Sequence, residues 1–214
     1  PAPVGRPAHS LGARLLAVCL AAAAWLGGPV LAAEPAAGAR PELWFPVGET
    51  LVYIVQWGFW TVAETRVTTE YVEEDGRELL AIRAATRTRN LMAGIYPVDD
   101  FLESVVDPAT FLPVRFTKRL NEGRYHTHEV TTFNHAAGTM LWRNLKRDKE
   151  QEHPIKADTR DLISFMFYMR GRSFEPNKTY TFSVMADEKL YELLVDARDV
   201  ETLKLNRFDK MRSL

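Results

Sequence analysis

The residues able to do chemistry fall into four groups, and each group also has an ordinary structural use. His126 and His128 stand two apart in an alternating run, so their rings project from one face of a strand and could begin a metal site. No spacing dictates a third ligand, although His135 and His153 lie further along, and no metal or other cofactor is expected. Asp99, Asp100 and Glu103 form an acidic cluster, and paired carboxylates can act as acid and base on a glycoside. Acidic residues at a strand entrance also cap turns and pair with arginine. Asp161, Ser164, Tyr168 and Arg170 share one short helix. Nothing like G-x-S-x-G surrounds Ser164, so it is not set up as a nucleophile, and the four residues are read as structural. No catalytic residue is assigned.

The fourth group is aromatic. Trp57, Trp60, Tyr96, Phe101, Tyr125 and Trp142 sit on or beside strands. In a small barrel such side chains fill the core; in a roomier one some would line an apolar cavity, which makes these six the candidate ligand-binding residues. Phe165, Met166, Phe167 and Met169 add a flexible apolar surface.

The elements that must position these groups are mostly strands. In Asp100–Val106, Leu102, Ser104 and Val106 share one face, and Phe101, Glu103 and Val105 the other. In Phe111–Leu120, Leu112, Val114, Phe116 and Leu120 share a face, with Asp107-Pro108 turning between the two runs. Leu51–Trp57 is apolar on both faces and is expected to be a central or doubly covered strand. Trp60–Val72 alternates and returns through Glu73-Glu74-Asp75-Gly76 into Glu78–Thr88. Arg124–Phe133 and Thr139–Arg143 follow, then a charged loop or ragged hairpin over Asn144–Glu152. Thr179–Ala186, Leu190–Val195 and Val200–Leu205 complete the strands. One helix is expected, capped by Asp158-Thr159, with Asp161 in its first turn. Leu162, Phe165, Met166 and Met169 form its apolar stripe, and Gly171 stops it. The fold class is mainly β: an antiparallel meander forming a curved sheet, half-barrel or barrel with one short helix, and without βαβ units.

The ends carry different information. Arg6 and Arg14 precede the apolar run Leu15–Leu26, and small residues follow at Val30-Leu31-Ala32. Basic, then apolar, then small is the pattern of a cleaved secretory signal peptide over residues 1–32, so a periplasmic location is expected. Membrane contact is expected only through the uncleaved leader. Cys19, the only cysteine, follows the bulky Val18 inside the apolar run and is not read as a lipidation site. Residues 33–42 read as a flexible linker and 43–214 as a single β-rich domain. The start at Pro1 and the stop just after a strand-like run suggest a fragment of a longer reading frame, with further strands beyond Leu214. Of the residues, 46% are hydrophobic, enough for a core, and the net charge of −1 carries no nucleic-acid footprint.

Three stretches together suggest a family. Phe45-Pro46-Val47-Gly48-Glu49-Thr50-Leu51-Val52-Tyr53 resembles an opening of the type F-x-V-G-E-x-L-x-Y. Ile95-Tyr96-Pro97-Val98-Asp99-Asp100, Glu103-Ser104 and Leu112-Pro113 look like its middle. Asp161-Leu162-Ile163-Ser164, with Tyr168 and Arg170, looks like its helix. In order and spacing these resemble a bacterial exported family known only as a domain of unknown function, number 3108. The resemblance implies a β protein of the Gram-negative cell envelope and carries over no catalytic residue. The resulting expectation is a non-enzymatic periplasmic protein that binds an apolar, lipid-like ligand or an envelope partner. A structural or assembly module pairing through a strand edge is the alternative, and a hydrolase of cell-wall glycan or peptide the remoter one. Oligomeric state is left open.

Overall fold

The computed structural model describes residues 40–89 and 92–199, apart from the side chains of Trp57, Met92 and Ala93. The expected signal peptide, most of the expected linker, the expected Val200–Leu205 strand and the side chain of Trp57 therefore lie outside the described residues.

Eight strands form one antiparallel sheet in sequence order: β1 (Thr50–Trp57), β2 (Trp60–Glu74), β3 (Arg77–Thr88), β4 (Asp99–Val106), β5 (Pro113–Glu122), β6 (Tyr125–Asn134), β7 (Thr139–Asn144) and β8 (Lys149–Pro154). A four-residue helix, α1 (Met92–Ile95), lies between β3 and β4. Among the described residues β1 and β8 are free edges, so the meander does not close. Tight turns set the register. The β2–β3 turn places Asp75 and Gly76 at positive φ, and full pairing then runs from Glu74↔Arg77 to Ala63↔Thr88.

A second sheet has the order β11-β10-β9, from β9 (Arg160–Asp161), β10 (Lys178–Ala186) and β11 (Lys189–Ala197). The helix α2 (Leu162–Arg170) follows β9, and β9 pairs parallel with β10 through Val184↔Arg160 and Met185↔Asp161. This miniature βαβ unit overturns the expectation that the fold has none; the sequence carries no mark of it, because a two-residue strand shows no periodicity.

The core lies on one face of the large sheet. Val67, Leu80, Ile82, Ala84, Val106, Phe116, Phe133 and Met140 present it, and Ile163, Phe167 and Met185 come down from α2 and β10. The segment before β1 straps across the same core: Phe45 is buried with Phe111 and Phe167, and the Trp44 indole N–H donates to the Phe167 carbonyl at 2.7 Å. Arg170 pairs with Glu49, tying the helix end to the start of β1.

Four further sequence expectations are corrected here. Leu51–Trp57 is the edge strand β1, not a covered one: Val52, Tyr53, Ile54 and Val55 are 46–53% exposed. Alternation reports which face a residue is on, and apolarity on both faces does not by itself reveal a neighbour on both sides. The helix cap is Asp161 itself, which accepts from the backbone N–H groups of Ile163 and Ser164, while Thr159 bonds Ser183 at 2.8 Å. With the start moved, the buried helical residues are Ile163, Ser164, Phe165 and Phe167; Leu162 and Met166 are exposed. Finally, Phe111 takes φ +56 in the β4–β5 turn instead of starting a strand, and a bulge shifts the register so that Val105 pairs with Arg115 but Val106 with Pro113. Val114, the extra residue, leaves the face of Phe116 and packs with Leu79, Ala81 and Val105 on the opposite side.

Candidate functional site

Of the six candidate aromatics, the structure brings two together. Tyr125, at the start of β6, and Trp142, in β7, line one recess of about 570 Å³. Trp60 is exposed at the start of β2 against Phe59, with ring centroids 5.4 Å apart. Tyr96 lies over Gly123, so close that a Cβ there would meet the phenol ring at 3.1 Å. Phe101 is on the opposite face of the sheet, with the Arg119 guanidinium 4.9 Å from its ring centre. Trp57 has its backbone in β1, and its side chain lies outside the described residues.

The floor of the recess is a buried polar network. Lys118 on β5, Glu129 on β6 and Asn144 on β7 occupy successive registers on the core-facing side. The Lys118 ammonium donates to Glu129 Oε2 at 2.9 Å and to Asp187 Oδ1, at the β10–β11 turn, at 2.5 Å. Glu129 is saturated: Oε2 also accepts from the Trp142 indole N–H at 3.2 Å, and Oε1 accepts from the Thr127 hydroxyl at 2.8 Å and the Asn144 amide at 3.5 Å. Burial pulls the Lys118 ammonium down, but the bonds and charges of Asp187 and Glu129 outweigh it and hold the group above its ordinary value. The ammonium is thus kept charged inside the fold by two carboxylates, one from each sheet.

A second buried cluster lies under the helix. Asp161 is fully buried and accepts four hydrogen bonds, two from backbone N–H groups, one from Ser104 Oγ at 2.6 Å and one from Ser164 Oγ at 2.8 Å. Burial pushes its carboxyl above the usual range, against the opposing pull of those donors. Ser164 is engaged by the cap and has no histidine partner, so the quartet reads as a helix anchor. Tyr168 carries the Arg160 guanidinium 3.7 Å from its ring centre, and Arg170 serves Glu49.

The acidic cluster does not converge. Asp100 points to the core side and accepts from the Asn121 N–H at 2.8 Å, whereas Asp99 and Glu103 are on the other face. Asp99 pairs with Arg87, and Glu103 is held by both Arg83 and Arg115. Asp100 faces away from the other two, and Asp99 and Glu103, four residues apart along one strand, are separated by about 13 Å of backbone, too far to flank one glycosidic bond. His126 bonds the Asn121 side chain at 3.2 Å, and His135 Nε2 lies 3.0 Å from the Pro113 carbonyl. Among the described residues no group of three or more His, Cys, Asp or Glu could hold a metal ion.

Sequence reasoning missed Lys118, Thr127, Glu129, Asn144 and Asp187. The signal was a charge on the wrong side of the alternation: Lys118 shares the face of Phe116 and Leu120, and Glu129 that of Phe133. Opposite charges interrupting the apolar faces of two neighbouring strands mark a buried pair once the register is known.

Comparison with known proteins gives one match. A protein-family model described as "Protein of unknown function (DUF3108)" matches residues 52–212. No curated protein and no solved structure matches.

Proposed function

The chain belongs to the DUF3108 family, and from that premise we propose that it is an exported, non-enzymatic β protein of the periplasm that works by docking, offering β1 to an extended apolar strand of another envelope protein. The observation that carries this reading is the contrast between the two edges of the large sheet. β8 reads Lys-Glu-Gln-Glu-His-Pro: its charges and terminal proline are the usual guards against edge pairing. β1 reads Thr-Leu-Val-Tyr-Ile-Val-Gln-Trp, with no charge and no proline, and is apolar on both faces and half exposed. An unguarded edge of this composition is an aggregation liability unless something pairs with it. A partner strand would gain the backbone hydrogen bonds of β1 that are unmatched among the described residues, with Val52 and Ile54 on one face and Tyr53 and Val55 on the other fixing its register. Phe59 and Trp60, both well exposed at the adjoining turn, extend the apolar surface. The basic, apolar and small residues of the first 32 positions support export.

The test is a photo-crosslinking residue placed at Ile54, or at Glu150 as a control, in the full chain expressed in a Gram-negative host. Adducts to a second envelope protein are expected from Ile54 alone, and Val52→Lys is expected to abolish them without lowering the unfolding temperature. A lipid adduct, an adduct of two copies of this chain, or no adduct at position 54 would overturn the reading.

A further inference from the structure

We propose that the recess between β6, β7 and the β10–β11 turn is a binding site for a neutral, hydroxyl-rich ligand of the saccharide class. It is independent of the β1 edge.

The floor and the rim of this recess are built differently. The floor is rigid, because each oxygen of Glu129 accepts two hydrogen bonds and both Thr127 and Asn144 are committed to it. Lys118 uses two of its three ammonium hydrogens and keeps one unspent. Around the rim the side chains of Tyr125, Arg147, Lys149, Gln151 and Glu188 make no hydrogen bond or ion pair among the described residues, yet all of them line the same space. Its volume lies within the range of small-molecule sites, roughly 300–1,000 Å³.

Charge selects the ligand class. The lining holds three cations, Lys118, Arg147 and Lys149, and three carboxylates, Glu129, Asp187 and Glu188. A phosphate would meet the carboxylates, and a cationic amine would meet the lysines and arginine. A hydroxyl both donates and accepts, so a pair of neighbouring hydroxyls can take a donor from Arg147 or Lys149 and give a proton to Glu188, while the Gln151 amide does both at once. The half-exposed Tyr125 ring supplies an apolar surface for the C–H face of a sugar ring. The Lys118–Asp187 bond closes one side, because it fastens the turn of the small sheet to the floor of the large one.

The experiment is titration calorimetry of the full chain with glucose and N-acetylglucosamine, with inorganic phosphate and glycine betaine as counter-probes. The Trp142 indole N–H resonance reports where binding occurs. Saturable binding of a sugar near millimolar Kd is expected, with a shift of that resonance. Tyr125→Ala and Gln151→Ala, both at exposed positions, are expected to weaken binding about tenfold each at unchanged unfolding temperature. Ile54→Lys is expected to leave sugar binding intact, which separates this site from the docking edge. Failure of both sugars to bind at tens of millimolar, full binding by both recess variants, or tighter binding of phosphate or betaine would overturn the proposal.

Discussion

Asp161 and Glu129 are both carboxylates inside the fold, and their surroundings set opposite expectations for substitution. Asp161 has no cation among its hydrogen-bond partners; four neutral donors hold it. Asp161→Ala strands two serine hydroxyls and two helix N–H groups and should cost about 2–4 kcal/mol in urea unfolding. Asp161→Asn keeps one oxygen for the helix N–H groups, and the hydroxyls can turn to accept from its amide, so its cost should be smaller. The pH dependence follows from the raised carboxyl. Its favourable, protonated state is retained below the ordinary Asp range and lost as pH rises through the folded pKa, so wild type should lose stability relative to Asp161→Asn across that window. Equal pH profiles for the two proteins would contradict this. Glu129 is an ion-pair partner instead. Lys118→Met should cost about 2–4 kcal/mol by leaving Glu129 buried without its cation, and Lys118→Met with Glu129→Leu should recover roughly half of that loss in the same assay.

At the scale of elements, α2 is held between the N-terminal strap and the two sheets. Gly171 ends the helix with φ −97, so its role is steric: a Cβ there would fall within the Trp44 indole, whose N–H is already committed to Phe167. Gly171→Ala should displace Trp44, cost about 1–2 kcal/mol and red-shift tryptophan emission; unchanged emission and stability would refute that contact. β1 behaves differently. Ile54→Lys sits on an exposed edge face and should change stability by no more than about 0.5 kcal/mol, measured by thermal unfolding. The strands were legible because alternation survives tertiary context: Leu102, Ser104 and Val106 point to the core as their spacing required. The helix was legible as an element but not in phase, since Asp161 as cap instead of Asp158-Thr159 moves the buried stripe. Val114 was misplaced because a bulge leaves no mark in a period-two pattern.

At the scale of the whole molecule, the large sheet has, among the described residues, a guarded edge and an open one, and its core face is covered by a helix and a small second sheet. Sequence patterning reached the antiparallel meander and its one short helix, but not which strands lie at the edges of the sheet. Whether an apolar run is central or at an edge depends on which strands adjoin it, and that is why β1 was misread. The recess was half legible: Tyr125 and Trp142 stood out as aromatics, while the Lys118–Glu129 floor needed the β5–β6 register to appear. The central claim is that β1 is kept open for a partner, and amide hydrogen exchange on the purified full-length monomer tests it most directly. Every second amide of β1, those directed away from β2, should exchange as fast as a free edge, while the intervening amides stay protected, and adding the cross-linked partner protein should slow the fast set. Protection of the outward amides in the isolated monomer would contradict the claim, because the edge would then already be occupied by the chain itself.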